Sequence, residues 1–253
     1  MSKKLEGTVA LVTGASSGIG EATALALAAE GASIALAARR RDRLEALADR
    51  MKATTTVSVH ETDVTDESQV EAMVANAVAE HGRLDILINN AGVMLLGPIE
   101  DAPTEEWRRM VNVNVLGLLY CTHAALPHLL GAATDSGRGV ADVVNVSSVA
   151  GRVARRDSGV YNATKWGVVA FTESFRQEFT TRHVRAAVVE PGATATELAF
   201  HNRKEVLEQM AKNFGGIEMM QSEDIANAIA YAVTQPRHVS VNEILVRPTE
   251  QER

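Results

Sequence analysis

A chain of 253 residues, 46% hydrophobic and 23% charged, is long enough for one large α/β domain with a substantial core. Its net charge of −7 argues against nonspecific binding to nucleic acid and against binding to an anionic membrane surface. Cys121 is the only cysteine, which excludes an internal disulfide and a cysteine metal cluster.

The first predicted element is a buried parallel strand, the β-branched apolar run 8–12. A glycine-rich loop with the spacing G-x-x-x-G-x-G follows, and strong helix formers over 21–30 predict a helix that ends at Gly31. Glycines let the backbone approach a pyrophosphate, and a helix N-terminus offers free N–H groups and a positive dipole end. The loop therefore predicts a dinucleotide site that includes Gly14, Ser16, Ser17, Gly18, Ile19 and Gly20.

The end of the second predicted strand, 33–38, indicates the coenzyme. A fold that prefers NAD places an acidic side chain here for the ribose 2′-hydroxyl, whereas this chain has Ala38 followed by three arginines. A guanidinium pairs well with a 2′-phosphate, so NADP(H) is predicted, with Arg39 favoured as the phosphate ligand and Arg40 second. Arg41 is expected to be solvated. The alternative is that all three arginines simply begin a solvated helix.

The following elements are predicted as a helix over 41–52, a strand over 57–62, a helix over 66–82 and a strand over 84–88. Asp63 either contacts the adenine amino group or caps the helix that follows, with Val64 beside it. Asparagines at the end of the last of these strands can join adjacent strands by side-chain hydrogen bonds, and the small residues after them leave room for a cofactor ring. Coenzyme contacts are therefore expected from Asn90, Ala91 and Gly92.

A long helix is predicted from Thr104 to about residue 130. It contains poor helix formers, which suggest a local purpose: Asn112, Asn114 and Gly117. The Gly/Ala/Ser-rich stretch 131–139 is interpreted as a surface loop. A strand over 140–146 then carries Ser148 just beyond its end, at the usual edge of an α/β active site.

Tyr161 and Lys165 are four residues apart on a helix predicted over 159–182, so they share one face. A phenol with a pKa of roughly 10 is a poor acid-base catalyst near neutrality, and an ammonium one turn away is expected to lower that pKa. Ser148 precedes Tyr161 by 13 positions. Taken singly, the Tyr/Lys pair could be a solvated helix face and the serine a turn or cap. Their joint spacing, together with the glycine loop, favours a catalytic site.

The remaining elements are predicted as a strand over 186–189, a mobile and partly helical substrate lid over about 193–221, a helix over 222–233 and a strand over 239–246. No composition break or repeat divides the chain, so one domain over 1–253 is expected. Its coenzyme half would span about 1–150 and its catalytic half about 140–253. The short polar start, 1–7, predicts no signal peptide, and a cytoplasmic location is expected.

Six motifs stand in order along the chain: T-G-A-S-S-G-I-G at 13–20, N-N-A-G at 89–92, N-V-L-G at 114–117, S-S at 147–148, Y-N-A-T-K at 161–165 and P-G at 191–192. With them the chain resembles the classical branch of the short-chain dehydrogenase/reductase family over essentially its full length. Segments 37–40, 93–101 and 247–249 are also similar to the NADP-dependent clavulanic acid dehydrogenase and 3-hydroxy acid dehydrogenase group. The chain departs from the family at 246–249, where most members are glycine-rich, which puts the packing of a tetramer in doubt.

The resemblance implies an α/β fold, a single Rossmann-type doubly wound domain with a seven-stranded parallel sheet flanked by helices. Tyr161 would protonate a carbonyl oxygen as NADPH delivers hydride, and Lys165 would lower the pKa of the phenol and hold the nicotinamide ribose. Ser148 would hydrogen-bond the same substrate oxygen, and Asn114 would hold a water that links Lys165 to solvent. Further coenzyme contacts are implied for Pro191, Gly192, Thr194 and Thr196.

The expected activity is therefore reversible, NADPH-dependent reduction of a small aldehyde or ketone. The alternative, a catalytically silent NADP(H)-sensing regulator or scaffold, would not need a tuned phenol. Three arginines near the expected substrate mouth could bind an acidic substrate, or be solvated or part of a subunit contact: Arg152, Arg155 and Arg156. A dimer or tetramer through the helices 104–130 and 159–182 is a family expectation. The scattered histidines favour no metal.

Overall fold

A computed structural model describes residues 3–252, without the side chains of residues 213 and 214. Its strands are β1 Val9–Thr13, β2 Ser33–Ala38, β3 Val57–Glu61, β4 Ile86–Asn89, β5 Ala141–Val146, β6 Val184–Pro191 and β7 Glu243–Val246. They pair in parallel in the order β3-β2-β1-β4-β5-β6-β7. The predicted seven-stranded, doubly wound α/β fold is thereby confirmed.

The helices are α1 Gly18–Ala29, α2 Arg41–Met51, α3 Glu67–His81, α4 Thr104–Val111, α5 Gly117–Asp135, α6 Gly159–Phe179, α7 Lys204–Phe214 and α8 Ser222–Val233. A π-helical turn joins α4 to α5, and short 3₁₀ turns occupy Val149–Gly151, Thr180–Arg182 and Glu197–His201. Helices α1, α2 and α8 bury apolar side chains on one face of the sheet, and α3, α5 and α6 on the other. The strand order reverses between β1 and β4, and this reversal opens a crevice at the carboxyl edge of the sheet.

Several predicted boundaries were wrong, among them the start of the last strand, predicted at 239 and found at Glu243; two of the others have a clear physical reason. Residues 131–135 are not loop but the last turn of α5, because Ala132 and Ala133 pack into the core while Gly131 faces outward. Strand β6 begins two residues before the predicted 186–189 run and ends two residues after it. The charged residue Arg185 made the start of β6 look like surface in the sequence. In the structure its guanidinium is buried and paired with Asp142 of β5 at 2.7 Å.

The poor helix formers between α4 and α5 coincide with the π-helical turn Asn112–Leu116. Gly117 follows it, where a Cβ atom would lie only 2.8 Å from Val64 Cγ2 and 3.0 Å from the Val64 carbonyl oxygen. The whole stretch Thr104–Asp135 is the one segment of residues 3–252 that is long and apolar enough to cross a membrane. Its apolar residues instead help form the core beneath the sheet, with Cys121, Ala125 and Leu129 each at most 1% exposed.

Two glycines on α5 allow a matched test of this packing. We expect Gly117→Ala to destabilise the fold by about 1–3 kcal/mol, because the new methyl group overlaps Val64. Gly131→Ala makes the same change on the same helix where nothing lies within 4 Å. It should stabilise the protein by about 0.5–1 kcal/mol through helix propensity alone. Urea unfolding of both variants measures the difference; equal free energies of unfolding would contradict the close contact at Gly117.

Candidate active site

A cleft runs along the carboxyl ends of the strands and collects most of the predicted site residues. It is lined by Gly14, Ser16, Ser17, Gly18, Ile19, Arg39, Arg40, Asp63, Val64, Asn90, Ala91, Gly92, Ser148, Tyr161, Lys165, Pro191, Gly192, Thr194 and Thr196. Two predicted residues, Gly20 and Asn114, do not line it. Both residues instead pack behind segments that line the cleft, Gly20 behind the glycine loop and Asn114 behind the segment after β4.

Ser148 and Tyr161 meet in the centre of the cleft. Ser148 follows β5, where its hydroxyl accepts a hydrogen bond from the Ala150 N–H at 3.1 Å and donates to the Pro191 carbonyl at 3.4 Å. Its side chain also lies within hydrogen-bonding reach of the Tyr161 phenol. Helix α6 places Lys165 one turn below the phenol, with Nζ 5.8 Å from the ring centroid. The three side chains that the sequence grouped by spacing therefore lie together in space.

Burial is the main cause of the pKa shifts of Tyr161 and Lys165. It raises the pKa of Tyr161 to about 12, an effect that the hydrogen bond from Ser148 opposes. It also lowers the pKa of Lys165 to about 8. The expectation that the ammonium brings the phenol pKa below 10 was therefore wrong for the free protein. Lys165 Nζ instead donates to the Val146 carbonyl at 2.9 Å, which fixes the amine at the end of β5.

Asn114 lies behind the cleft wall, 2% exposed, in the π-helical turn. Its Oδ1 accepts from the Val93 N–H at 2.8 Å, and its Nδ2 donates to the Val93 carbonyl at 2.9 Å and to Thr164 Oγ1 at 3.1 Å. The side chain thus joins the segment after β4 to helix α6, between Gly92 and Lys165. Its predicted role in holding a water stays a prediction.

The glycine loop has the backbone that a phosphate site needs. Gly14 and Gly18 adopt positive φ angles of 66° and 58°, where other residues are strained. Ser17, the residue before α1, makes no capping hydrogen bond with its side chain. Gly20 serves packing instead, because a Cβ there would lie 2.4 Å from the Gly14 carbonyl oxygen. This contact explains why Gly20 does not reach the cleft.

The arginines after β2 take different positions, and the predicted phosphate role of Arg39 stays a prediction. Arg39 lines the cleft but is exposed, whereas Arg40 turns onto the glycine loop. Its guanidinium donates to Ser16 Oγ at 3.0 and 3.1 Å and to Ser17 Oγ at 2.7 Å. Arg41 pairs with Glu45 at the surface, in keeping with its predicted exposure. Arg43, which also lines the cleft from the first turn of α2, was missed, although it follows Arg40 by only three residues.

The residues after β3 and β4 divide between lining and support. Asp63 does not cap α3, since Asp66 does so by accepting from the Gln69 N–H; Asp63 closes a local turn with Thr65. Asn90 donates to the carbonyl oxygens of Thr13 and Gly14 at 3.0 and 3.3 Å and so supports the glycine loop. These bonds confirm that an asparagine joins adjacent strand ends. The predicted contact between Asp63 and adenine stays a prediction.

The segment after β6 is held by a residue near the C-terminus. Gln251 is 8% exposed, and its Oε1 accepts from the Ala193 N–H at 2.8 Å. A Cβ atom on Gly192 would lie 2.4 Å from that same oxygen, so the contact requires glycine. Sequence reasoning missed Gln251, because no local pattern connects it to residues 58 positions away. It lies two residues beyond the stretch 246–249, where the sequence was expected to depart from the family pattern.

The three arginines near the substrate mouth separate into two groups. Arg152 turns away from the cleft and contacts Glu190 at 2.7 Å and also Glu243. Arg155 and Arg156 line the cleft. The loop that carries them is anchored by Asn162, whose amide donates to the Ala150 and Val153 carbonyls at 2.7 and 3.0 Å. An acidic-substrate role therefore stays open for Arg155 and Arg156 but not for Arg152.

The predicted lid, residues 193–221, forms the outer wall of the cleft. It contains the 3₁₀ turn Glu197–His201 and helix α7, in agreement with the predicted partial helicity. Asn202 connects this wall to the segment that follows β4. Its side chain accepts from the Leu96 N–H at 2.7 Å and donates to the Met94 carbonyl at 2.9 Å. Within residues 3–252, no group of three or more His, Cys, Asp or Glu side chains could hold a metal ion.

Comparison with known proteins decides which family carries this arrangement. The family model of the short chain dehydrogenases matches residues 8–207. The chain belongs to the short-chain dehydrogenase family. The predicted family is thus confirmed, and the narrower clavulanic acid and 3-hydroxy acid dehydrogenase group stays a prediction.

Three relatives show the range of this family around the chain. A glycine betaine reductase of Emericella nidulans is 42% identical over 251 residues, which make up 98% of this chain but only 19% of that protein. An uncharacterized oxidoreductase of Staphylococcus saprophyticus is 39% identical over 249 residues, 96% of each chain. The closed form of a serine dehydrogenase complexed with NADP⁺ has a TM-score of 0.88 at 30% identity and covers 97% of both chains. The fold of this short-chain dehydrogenase therefore matches that of a solved dehydrogenase over 97% of the chain.

The buried amine of this dehydrogenase makes stability depend on pH. The pKa of Lys165 is about 8 when folded, against an ordinary value of 10.5, so the unfolded state binds more protons between these values. The free energy of unfolding should then rise with pH by about 2 kcal/mol from pH 8 to pH 10, relative to a Lys165→Met variant. Lys204→Met, which removes an exposed ammonium, is the control. A difference between wild type and Lys165→Met that stays constant with pH would show that the amine is not buried.

Proposed function

We propose that this short-chain dehydrogenase interconverts the carbonyl and alcohol groups of a small molecule with NADP(H), and that Tyr161 is its acid-base residue. The observation that carries the proposal is the placement of the Ser148, Tyr161 and Lys165 side chains together in the cleft, each at most 9% exposed. A substrate oxygen placed between the two hydroxyls would accept a hydrogen bond from each. The coenzyme would supply or accept the hydride at the adjacent carbon.

The residues present fit a phosphorylated dinucleotide. The cleft has a volume of about 2230 Å³, which is more than the roughly 300–1,000 Å³ of an ordinary small-ligand site. There is room for a dinucleotide and a substrate together. Gly14 and Gly18 offer backbone to a pyrophosphate, and Arg40 and Arg43 offer guanidinium groups to a 2′-phosphate. The serine dehydrogenase that resembles this chain was solved with NADP⁺.

A protonated Tyr161 at neutral pH fits its proposed role as the acid that acts when a carbonyl is reduced. A phenol with a pKa near 12 keeps its proton and can give it to an oxygen that becomes negative as the carbonyl is reduced. As the proton leaves, the Lys165 ammonium beneath the ring stabilises the phenolate. Ser148 stabilises the same developing charge by a hydrogen bond. Oxidation would have to begin with the loss of that proton, which burial makes costly.

A tyrosine pair tests the role of the phenol. Tyr161→Phe should lower the rate of NADPH consumption with a panel of aldehydes and ketones by about 10²–10⁴-fold, because it removes the proton donor. The affinity for NADPH should be nearly unchanged. Tyr231→Phe, which removes an exposed hydroxyl on α8, is the matched control. Equal turnover in the Tyr161→Phe and wild-type proteins would contradict the acid role and favour a silent coenzyme-sensing protein instead.

A second test concerns the coenzyme. Arg40→Gln should weaken NADPH binding by about 10-fold or more while leaving NADH binding nearly unchanged, since the guanidinium pairs with the 2′-phosphate. Arg41→Gln removes the same charge one residue along, where the side chain pairs with Glu45, and it should change neither affinity appreciably. Equal losses of NADPH affinity in the two variants would show that only the general charge of this region matters.

The other expectations extend the proposal. In this proposal the single domain has a coenzyme-binding half and a catalytic half. The segment 193–221 acts as a lid over the cleft between them. A homo-oligomer could form through the helices 104–130 and 159–182, where Val111 and Trp166 are 40% and 49% exposed. A small-molecule substrate follows from the family, whereas its identity, the assembly and the cytoplasmic location stay predictions.

A further inference from the structure

A carboxylate from the 193–221 segment lies between the two arginines of the coenzyme site. Glu197 Oε2 contacts Arg40 Nη1 at 2.8 Å, and Glu197 Oε1 contacts Arg43 Nη1 at 2.7 Å. The remaining bonds of the Arg40 guanidinium go to Ser16 and Ser17 of the glycine loop. One carboxylate therefore bridges both guanidiniums, as an oxygen-rich anion on the ribose would. These guanidiniums hold the pKa of Glu197 at about 2, so the carboxylate is charged at neutral pH.

The contact between Glu197 and the two arginines lies where the coenzyme is expected to bind. Arg40 stands two residues after the end of β2, close to the point where a dinucleotide fold meets the 2′ substituent of the adenosine ribose. Glu197 stands at the start of the 3₁₀ turn in the 193–221 segment, 157 residues further along the chain. An anion that approaches Arg40 and Arg43 must displace Glu197 or share the two guanidiniums with it.

The exposure of the contact makes displacement easy. The side chains of Arg40, Arg43 and Glu197 are 41%, 44% and 43% exposed. Ion pairs as exposed as these change an equilibrium constant by about fivefold at most. A 2′-phosphate carries a charge of about −1.5 to −2 and can bind a guanidinium with two oxygens. It is therefore the stronger ligand and can replace the carboxylate.

We propose that Glu197 sets the selectivity of this dehydrogenase between NADPH and NADH, by occupying the 2′-phosphate position in competition with the coenzyme. The inference rests on the proposed function and deepens it. With Glu197 in place, the Arg40–Arg43 pair has a local charge of +1 instead of +2, so the phosphate is held less tightly. NADH has only a hydroxyl at that position and leaves Glu197 on its arginines. Glu197 thus lowers the preference for NADPH, and NADPH binding releases Glu197 from Arg40 and Arg43.

The test compares two carboxylates that pair with neighbouring arginines. Glu197→Gln keeps the side-chain size and removes the charge, and we expect the dissociation constant for NADPH, measured by isothermal titration calorimetry, to fall about 3- to 10-fold. The constant for NADH should change less than twofold. Glu45→Gln is the matched control, since Glu45 pairs with Arg41 on the exposed side of α2. It should change both constants less than twofold.

A double variant separates the specific contact from the overall charge. The gain from Glu197→Gln should shrink in an Arg40→Gln background, because one of its two partners is gone. It should also shrink at high salt. An NADPH/NADH affinity ratio that is the same in Glu197→Gln and wild type, or lower in the variant, would overturn the inference alone. A wild-type protein that binds neither coenzyme would overturn the proposed function and this inference with it.

Discussion

The ammonium group of Lys165 is buried between helix α6 and the end of strand β5, where it donates to the Val146 carbonyl. A charge in such a place is costly unless it is well paired, so α6 can dock on the sheet in few positions. Ser147 strengthens the same junction by donating to the Lys165 carbonyl at 3.0 Å. Because Tyr161 precedes Lys165 by one turn, fixing the amine also fixes the phenol. The position of the phenol thus depends on how α6 docks against the end of β5.

Buried amides extend this constraint across the sheet. Asn89 donates to Asn145 Oδ1 at 2.9 Å, and Asn145 in turn donates to Thr172 Oγ1 of α6 at 2.9 Å. This chain of side chains connects β4, β5 and α6 at a depth where unpaired polar groups would be costly. It limits rotation of α6 about its own axis. Asn114 does the same from the other side, through Thr164. The phenol is therefore aimed by polar contacts as well as by apolar packing.

Local patterns predicted much of this arrangement because each motif is read within one strand, loop or helix. The glycine loop, the Tyr161/Lys165 pair and the parallel order of elements need only short-range spacing. Sequence could not show that Arg40 rather than Arg39 turns onto the loop, since the direction of a side chain depends on what lies opposite it. Glu197 and Gln251 were missed for the same reason: their partners lie 157 and 58 residues away. The end of α5 was predicted too early because the glycines in 131–139 indicated a loop. The sequence did not show that Ala132 and Ala133 pack into the core.

The proposed proton-transfer group and the proposed phosphate site differ in solvent exposure, and this difference fits their proposed roles. Ser148, Tyr161 and Lys165 are at most 9% exposed, so their hydrogen bonds and charges act without competition from water. Rigid burial suits a proton transfer that needs fixed geometry. The ion pairs around Arg40 are about four-tenths exposed, which keeps each one weak. Weak contacts suit the proposed exchange of a coenzyme, so the proposed proton-transfer group is buried while the proposed phosphate site is open to water.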